Sequence, residues 1–346
     1  MKGALVVPSE FAEHSRAHGW EISGLLNWGP AMDWDILQIN EDLGGYDVYL
    51  TNVSSTETEY IPVIRMAAPD AKIVACFDYG FDIVGDYFLT LERVKRVLSW
   101  ADRLFSVNRN QLDWLRTILP DRKIAHCPHP VDVEHASAYR RPPEGRDLGV
   151  AAMWHQYDNQ HVQSLEVLRA VEREIGRPIH KVLVGLKGRH MAERGMRVPT
   201  SAVAMTDDGK GGQRPLDPDS GRYTVEAPPG AGWDGVLPYV GVQPWYDSLS
   251  RFRAALDLYT VNSIGRFGMD CAAVGVPLAA SNMSDSSDVL WPQTRVNPFE
   301  PRGAVRVLSR LLTDREFYGQ VERIAVGKVA FYNFERSRQR MEEVLR

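Results

Sequence analysis

The sequence has few cysteines, no long hydrophobic run and no surplus of positive charge. Its three cysteines, Cys76, Cys127 and Cys271, are odd in number and widely spaced. That excludes a dense disulfide framework and points to a reducing, cytoplasmic setting. No apolar run reaches the ~18 residues a spanning helix needs, so no integral membrane segment is expected. The opening Met1-Lys2-Gly3-Ala4-Leu5-Val6-Val7 is too short for a signal peptide and reads as a first buried strand. Net charge is −5; residues 1–145 carry 14 Lys and Arg against 21 Asp and Glu, a net of −7, leaving +2 for the rest. The acidic half has no broad basic face for nucleic acid. A D-x-D following a clear buried strand is missing as well. Asp33-Trp34-Asp35 and Asp217-Pro218-Asp219 have the spacing without that setting, so no metal site is expected. His14 and His18, and the run His126-Cys127-Pro128-His129, lack the further ligands of a zinc site and read as surface histidines.

What is present is a rhythm. With 346 residues, 44% of them hydrophobic, the chain suits two domains of ordinary size. Short apolar runs at 5–7, 46–50, 72–76 and 104–107 read as buried strands, with helices at Glu57–Met66 and Leu91–Ala101 between them. Strands alternating with helices imply a parallel sheet covered on both faces. The basic, amphipathic Arg93–Trp100 fits either a sheet-covering helix or one resting on an anionic membrane. Arg141–Gly145 reads as a linker, after which the pattern restarts. Strands are predicted at 148–153, 181–184, 236–242 and 256–261, with helices at Gln160–Ile175 and Tyr246–Ala255. The Gly-, Pro- and Asp-rich stretch 196–235 interrupts this as a surface insertion, and Arg302–Arg346 is helical and charged. Two open α/β sheets place a ligand in the crevice at the carboxyl ends of their strands.

The informative segment is Asn262-Ser263-Ile264-Gly265-Arg266-Phe267-Gly268-Met269-Asp270, followed by Gly275-Val276-Pro277. Asn262 or Ser263 is placed to cap a helix, and Gly265 permits a tight turn. Gly275 and Pro277 stop the helix. Free N–H groups and the positive dipole end attract an anion at such a helix start. Arg266 adds a forked cationic donor suited to phosphate, so a diphosphate can be held there without metal or other cofactor. Asp78, after the third strand, is a candidate catalytic carboxylate, and Ser9 and Glu10, after the first, are candidates for acceptor contact. Each also fits a plain loop or capping role.

These residues resemble the C-terminal half of GT-B glycosyltransferases, particularly the family-4-type retaining enzymes, with their run E-G-F-G-x-x-x-x-E-A-x-A-x-G-x-P. Asn262 stands at the first Glu, Asp270 at the second, Ile264-Gly265 at Phe-Gly, and Gly275-Val276-Pro277 at G-x-P. Leu237–Val242 and the stretch to Val261 are similar to the family's preceding strand–loop–helix–strand. Ala101–Asn108 is similar to A-D-x-x-x-x-x-S, and Cys127–His135 to P-N-G-V-D-x-E-x-F. The resemblance implies an α/β GT-B architecture: two Rossmann-like domains, 1–145 for the acceptor and 146–320 for the donor, their parallel sheets facing across a cleft. It also implies a helix, 321–346, returning to the first domain. It places sugar hydroxyls at Asn262 and its neighbour Ser263, ribose at Asp270, diphosphate at Gly265 and Arg266, and the base at Gly241 and Val242, with Phe267 also on the donor side. The family's phosphate-binding Arg and Lys are missing; His155 or Lys187 with Arg189 is the candidate substitute.

The expected function is therefore transfer of a sugar from a nucleoside diphosphate sugar, UDP-sugar favoured, to an acceptor hydroxyl with retention. The acceptor is open: carbohydrate, lipid or small molecule, or a hydroxymethylated base in DNA as for phage-type glucosyltransferases. A non-catalytic nucleotide-sugar binding protein is the reading from another class.

Overall fold

The structure is a computed structural model that describes residues 1–9, 12, 24–53, 59–78, 91–146, 148–154, 160–186, 205–207, 213–215, 232–238 and 242–346. The first sheet has six parallel strands: β1 (Gly3–Val7), β2 (Asp35–Gln38), β3 (Val48–Asn52), β4 (Lys72–Phe77), β5 (Arg103–Ser106) and β6 (Ile124–His126), in the order β2-β1-β3-β4-β5-β6. β1 and β3 are buried at every residue, as a parallel sheet covered on both faces requires. Side chains alternate between two cores along each strand. Ala4, Val6, Ile73 and Ala75 join the core under α2 (Tyr60–Ala67), α3 (Leu91–Leu98) and α4 (Leu112–Ile118). Val97 and Leu98 are buried there while Lys95 and Arg96 are exposed, so α3 covers the sheet with a solvated basic face.

Leu5, Val7, Leu50, Val74 and Phe105 face the other way. Their cover comes from the short α1 (Trp28–Met32) and from the last helix, α12 (Phe334–Leu345), through Met341, Val344 and Leu345. Lys72 Nζ donates to the Leu345 carbonyl at 2.5 Å and Arg338 Nε to the Ala31 carbonyl at 2.9 Å. An open parallel sheet needs both faces covered, and the chain's end supplies one of them.

The second sheet has the order β11-β8-β7-β12-β13-β14, again all parallel. Its strands are β7 (Leu148–Met153), β8 (Lys181–Leu186), β11 (Gly235–Pro238), β12 (Phe252–Asp257), β13 (Leu278–Ser281) and β14 (Arg295–Val296). A two-stranded antiparallel pair, β9 (Met205–Asp207) and β10 (Gln213–Pro215), lies in the expected insertion. Its helices are α5 (Val133–Ser137) at the junction, α6 (Gln160–Ile175), α7 (Val242–Ser250), α8 (Arg266–Val274), α9 (Asp285–Leu290), α10 (Pro301–Thr313) and α11 (Arg315–Lys328). Among the described residues no helix is long and apolar enough to cross a membrane.

Two sequence expectations are corrected. The predicted strand 236–242 ends at Pro238, and α7 begins at Val242. The predicted helix to Ala255 ends at Ser250, and the strand is Phe252–Asp257 rather than 256–261. Ala254 and Ala255 favour helix intrinsically. Here they sit in a central strand between β7 and β13, and that pairing overrides local propensity.

Candidate functional site

Both sheets reverse direction of winding once, between β1 and β3 in the first and between β7 and β12 in the second. Crevices open at the carboxyl ends of strands at such points. The two carboxyl edges face each other. His126, ending β6, lies 3.3 Å from Asp285, which follows β13. Arg140 Nε reaches the Ala273 carbonyl at 2.8 Å, and the Val131 N–H reaches the Tyr332 carbonyl at 2.8 Å.

On the second sheet's side, α8 starts at Arg266 behind Gly265, whose φ of 76° lies in the left-handed region. A Cβ on Gly265 would stand 2.5 Å from Ser286 Oγ and 2.6 Å from Ser284 Cβ. Gly265→Ala combines an unfavourable φ with this clash, so it is expected to destabilise the fold by roughly 2–4 kcal/mol. Urea unfolding checks this, and a cost under about 0.5 kcal/mol would refute the tight turn. The helix cap differs from expectation. Gly265 itself is the cap residue, and the Ser263 hydroxyl accepts the Gly265 N–H at 3.2 Å instead of capping the helix. Ser263 also pairs with the chain after β13, where the Asp285 N–H reaches its carbonyl at 2.8 Å.

Arg266 and Asp270 lie one helical turn apart, and Arg266 Nε donates to Asp270 Oδ1 at 2.9 Å. The Asp270 side chain is 1% exposed. It also accepts from Trp245 Nε1 and the Tyr246 hydroxyl, each at 3.2 Å. Burial pushes the Asp270 carboxyl above its ordinary range, while the Arg266 charge and these donors pull the other way. Arg266 is 14% exposed, and its Nη1 donates to the Pro130 carbonyl at 3.3 Å, across the junction of the two sheets. Phe267 turns into the core against Trp245. Asn262 is half-buried, and its side chain makes no hydrogen bond among the described residues. Val242 opens α7. Gly241, His155, Lys187 and Glu10 lie outside the described residues; Ser9 is exposed just beyond β1.

On the first sheet's side, Asp78 follows β4 with its side chain 21% exposed. Its Oδ1 lies 2.8 Å from His129 Nε2, and His129 Nδ1 lies 3.0 Å from Trp28 Nε1. His129 is 1% exposed, which corrects the expectation of a surface histidine. The sequence could not show this, because its partners are 51 and 101 residues away. The next residue, Pro130, offers its carbonyl to Asn27 Nδ2 at 2.9 Å as well as to Arg266. The pair His129-Pro130 therefore stands between Asp78 and Arg266. Nothing local in the sequence assigns Trp28, Pro130, Trp245 or Tyr246 to the site. His129 belongs to two sequence features, the His126–His129 run weighed for zinc and the Cys127–His135 resemblance, and neither points to Asp78 or Trp28. Asp33 and Asp35 stand apart: Asp33 ends α1, and Asp35 on the edge strand β2 binds the Tyr46 hydroxyl.

No family model and no curated protein sequence matches the chain. Solved structures do. A sucrose-phosphate synthase from Thermosynechococcus elongatus superposes with TM-score 0.64 at 13% identity, covering 100% of this chain and 98% of that one. An α-glucosyltransferase in complex with UDP-glucose and DNA containing an abasic site gives 0.61 at 9% identity, covering 99% and 98%. A UDP-forming α,α-trehalose-phosphate synthase from Burkholderia xenovorans gives 0.62 at 11%, covering 87% and 73%. With the two six-stranded parallel sheets, this likeness establishes the fold as the two-domain GT-B architecture.

Proposed function

We propose that the chain is a glycosyltransferase that takes a sugar from a nucleoside diphosphate sugar, a UDP-sugar in preference, and transfers it to an acceptor hydroxyl with retention. The observation that carries this reading is the meeting of two strand-end crevices, with Arg266 and the start of α8 on one side and Asp78 on the other. Structural neighbours described as UDP-forming or bound to UDP-glucose support the choice of donor. In this reading residues 146–320 hold the donor, 1–145 meet the acceptor and 321–346 close the first domain.

The acceptor oxygen bonds to the anomeric carbon as the bond from that carbon to the β-phosphate oxygen breaks. The nucleoside diphosphate leaves with the electron pair, and the acceptor proton passes to Asp78 or to the leaving phosphate on the same face. Arg266 and the dipole of α8 stabilise the departing diphosphate. Asn262 and Ser263 meet sugar hydroxyls. Asp270 fixes Arg266; a ribose hydroxyl reaching that carboxylate displaces one of its present donors. The donor needs no metal, so EDTA is expected to leave the rate unchanged. Restoration by manganese after loss in EDTA would refute this.

A thermal-shift screen of nucleotide sugars tests the class and names the donor. At about 100 times its Kd, the right donor stabilises the fold by about 2.7 kcal/mol. Arg266→Ala is expected to weaken UDP binding by roughly 1.5–3 kcal/mol, the worth of charge-assisted hydrogen bonds. Unchanged affinity in calorimetry removes Arg266 from the site. Hydrolysis of the donor without acceptor separates an enzyme from a non-catalytic binder.

Modified DNA is the second acceptor reading, and the neighbour solved with DNA supports it. Exposed Trp100 and Trp114 on the first domain offer stacking surfaces, against a net charge of −7 over residues 1–145. Steeply salt-dependent binding of DNA oligomers supports it, and its absence removes it.

A further inference from the structure

We infer that His129 is a positioning residue that holds the Asp78 carboxylate for reaction, its own proton locked in place by Trp28. This rests on the reading of Asp78 as the acceptor-side carboxylate. The logic starts at the indole. A Trp Nε1–H only donates, so at 3.0 Å from His129 Nδ1 it requires that nitrogen to be an acceptor bearing no proton. The ring proton is therefore on Nε2, aimed at Asp78 Oδ1 at 2.8 Å. Rotating the ring by half a turn would break both bonds at once.

The surroundings hold the ring in that pose. His129 is packed between the edge of Trp28, at 6.5 Å between centroids, and the backbone of Gly24. A Cβ at Gly24 would come within 2.5 Å of His129 Cδ2, so only glycine allows this approach. Trp28 is itself fully buried, packed edge-on to Phe105 of β5. Asn27, one residue before Trp28, binds the carbonyl of Pro130, one residue after His129, so the Trp28 and His129 segments are tied by a second bond. Asp78 is thus gripped through Oδ1. Among the described residues its Oδ2 has no partner, which leaves that oxygen for a hydroxyl. The same Pro130 carbonyl receives Arg266, so the carboxylate and the phosphate-side cation are referenced to one rigid dipeptide. Misplacing a reacting group by about 1 Å can cost 10²-fold in rate.

The test has two arms. In protein labelled with 15N-histidine, the His129 signal is assigned by its loss in His129→Leu. It should show protonated Nε2 and bare Nδ1, and Trp28→Phe should release it to a mixture of tautomers. A Nδ1-protonated or doubly protonated ring in the wild type overturns the proposal whether or not Asp78 reacts. The second arm follows UDP release from UDP-glucose. His129→Leu is expected to lower kcat by roughly 10–100-fold, with KM for UDP-glucose within about twofold. His129→Gln, which returns an N–H toward Asp78, should recover most of the rate. Combined with Asp78→Asn, His129→Leu should add no further loss, because it acts through that carboxylate. An additive loss, or a fully active His129→Leu beside an inactive Asp78→Asn, overturns the positioning role and leaves Asp78 standing. A fully active Asp78→Asn instead removes Asp78 from the reaction, while the tautomer result still decides the relay.

Discussion

Asp270→Ala is expected to lower the unfolding free energy by about 3 kcal/mol, at the low end of the ~3–5 kcal/mol for breaking a buried ion pair. The carboxylate receives three donors, from Arg266, Trp245 and Tyr246, in a site with 1% exposure. Alanine leaves all three facing a void. The indole N–H and the tyrosine hydroxyl are buried, and each buried donor left unsatisfied costs ~1–3 kcal/mol. The guanidinium keeps the Pro130 carbonyl and some solvent, being 14% exposed, which is why the low end applies. Asp270→Asn keeps the volume and one accepting oxygen, so it should lose less than alanine. Urea denaturation measures both. A loss below about 1 kcal/mol for alanine would show that the four groups are not coupled as their geometry implies. The same variant should weaken UDP binding at temperatures where it remains folded, because Arg266 then loses the carboxylate that fixes its Nε.

Asp78→Asn is expected to abolish most turnover while leaving the fold and UDP affinity intact. Asparagine keeps an oxygen to accept the His129 Nε2–H, so the relay to Trp28 survives. What is lost is the ability to take a proton or to bind a hydroxyl as a charged acceptor. General acid–base assistance is worth roughly 10²–10⁴-fold, and that is the size of the expected fall in kcat. The controls are an unchanged Tm and unchanged UDP calorimetry. A rate within about threefold of the wild type would show that the acceptor's proton goes elsewhere, with the leaving phosphate as the remaining base.

The parts of the site legible in the sequence were those within one helical turn or one strand end. Gly265 before Arg266 marked the turn, and the spacing of Arg266 and Asp270 put both on one face of a helix. Asp78 stood out because a carboxylate at a strand's carboxyl end is a recurring position in α/β folds. The direction of Asp270 was not legible. Its family resemblance pointed toward a ligand, whereas Trp245 and Tyr246, a quarter of a hundred residues earlier, turn it inward. His129 was read at the surface because nothing near it in the chain announces Trp28 or Asp78.

The sequence by itself determined the class of the fold: alternating apolar runs and amphipathic helices, restarting after Arg141–Gly145, specify two covered parallel sheets. Hydrophobic periodicity and turn residues act over a few positions, so they are written locally. It also marked the start of α8, because glycine and a following cation are local features too. The tertiary structure alone decided where β12 begins, since Ala254 and Ala255 become strand only between two neighbouring strands. It alone brought Trp28, Asp78 and His129 into one relay and set Arg266 against Pro130, contacts spanning 51 to 136 residues. Such contacts depend on how two sheets and a returning helix stack. That stacking is fixed by the mutual burial of surfaces far apart in the chain, and no local propensity encodes it.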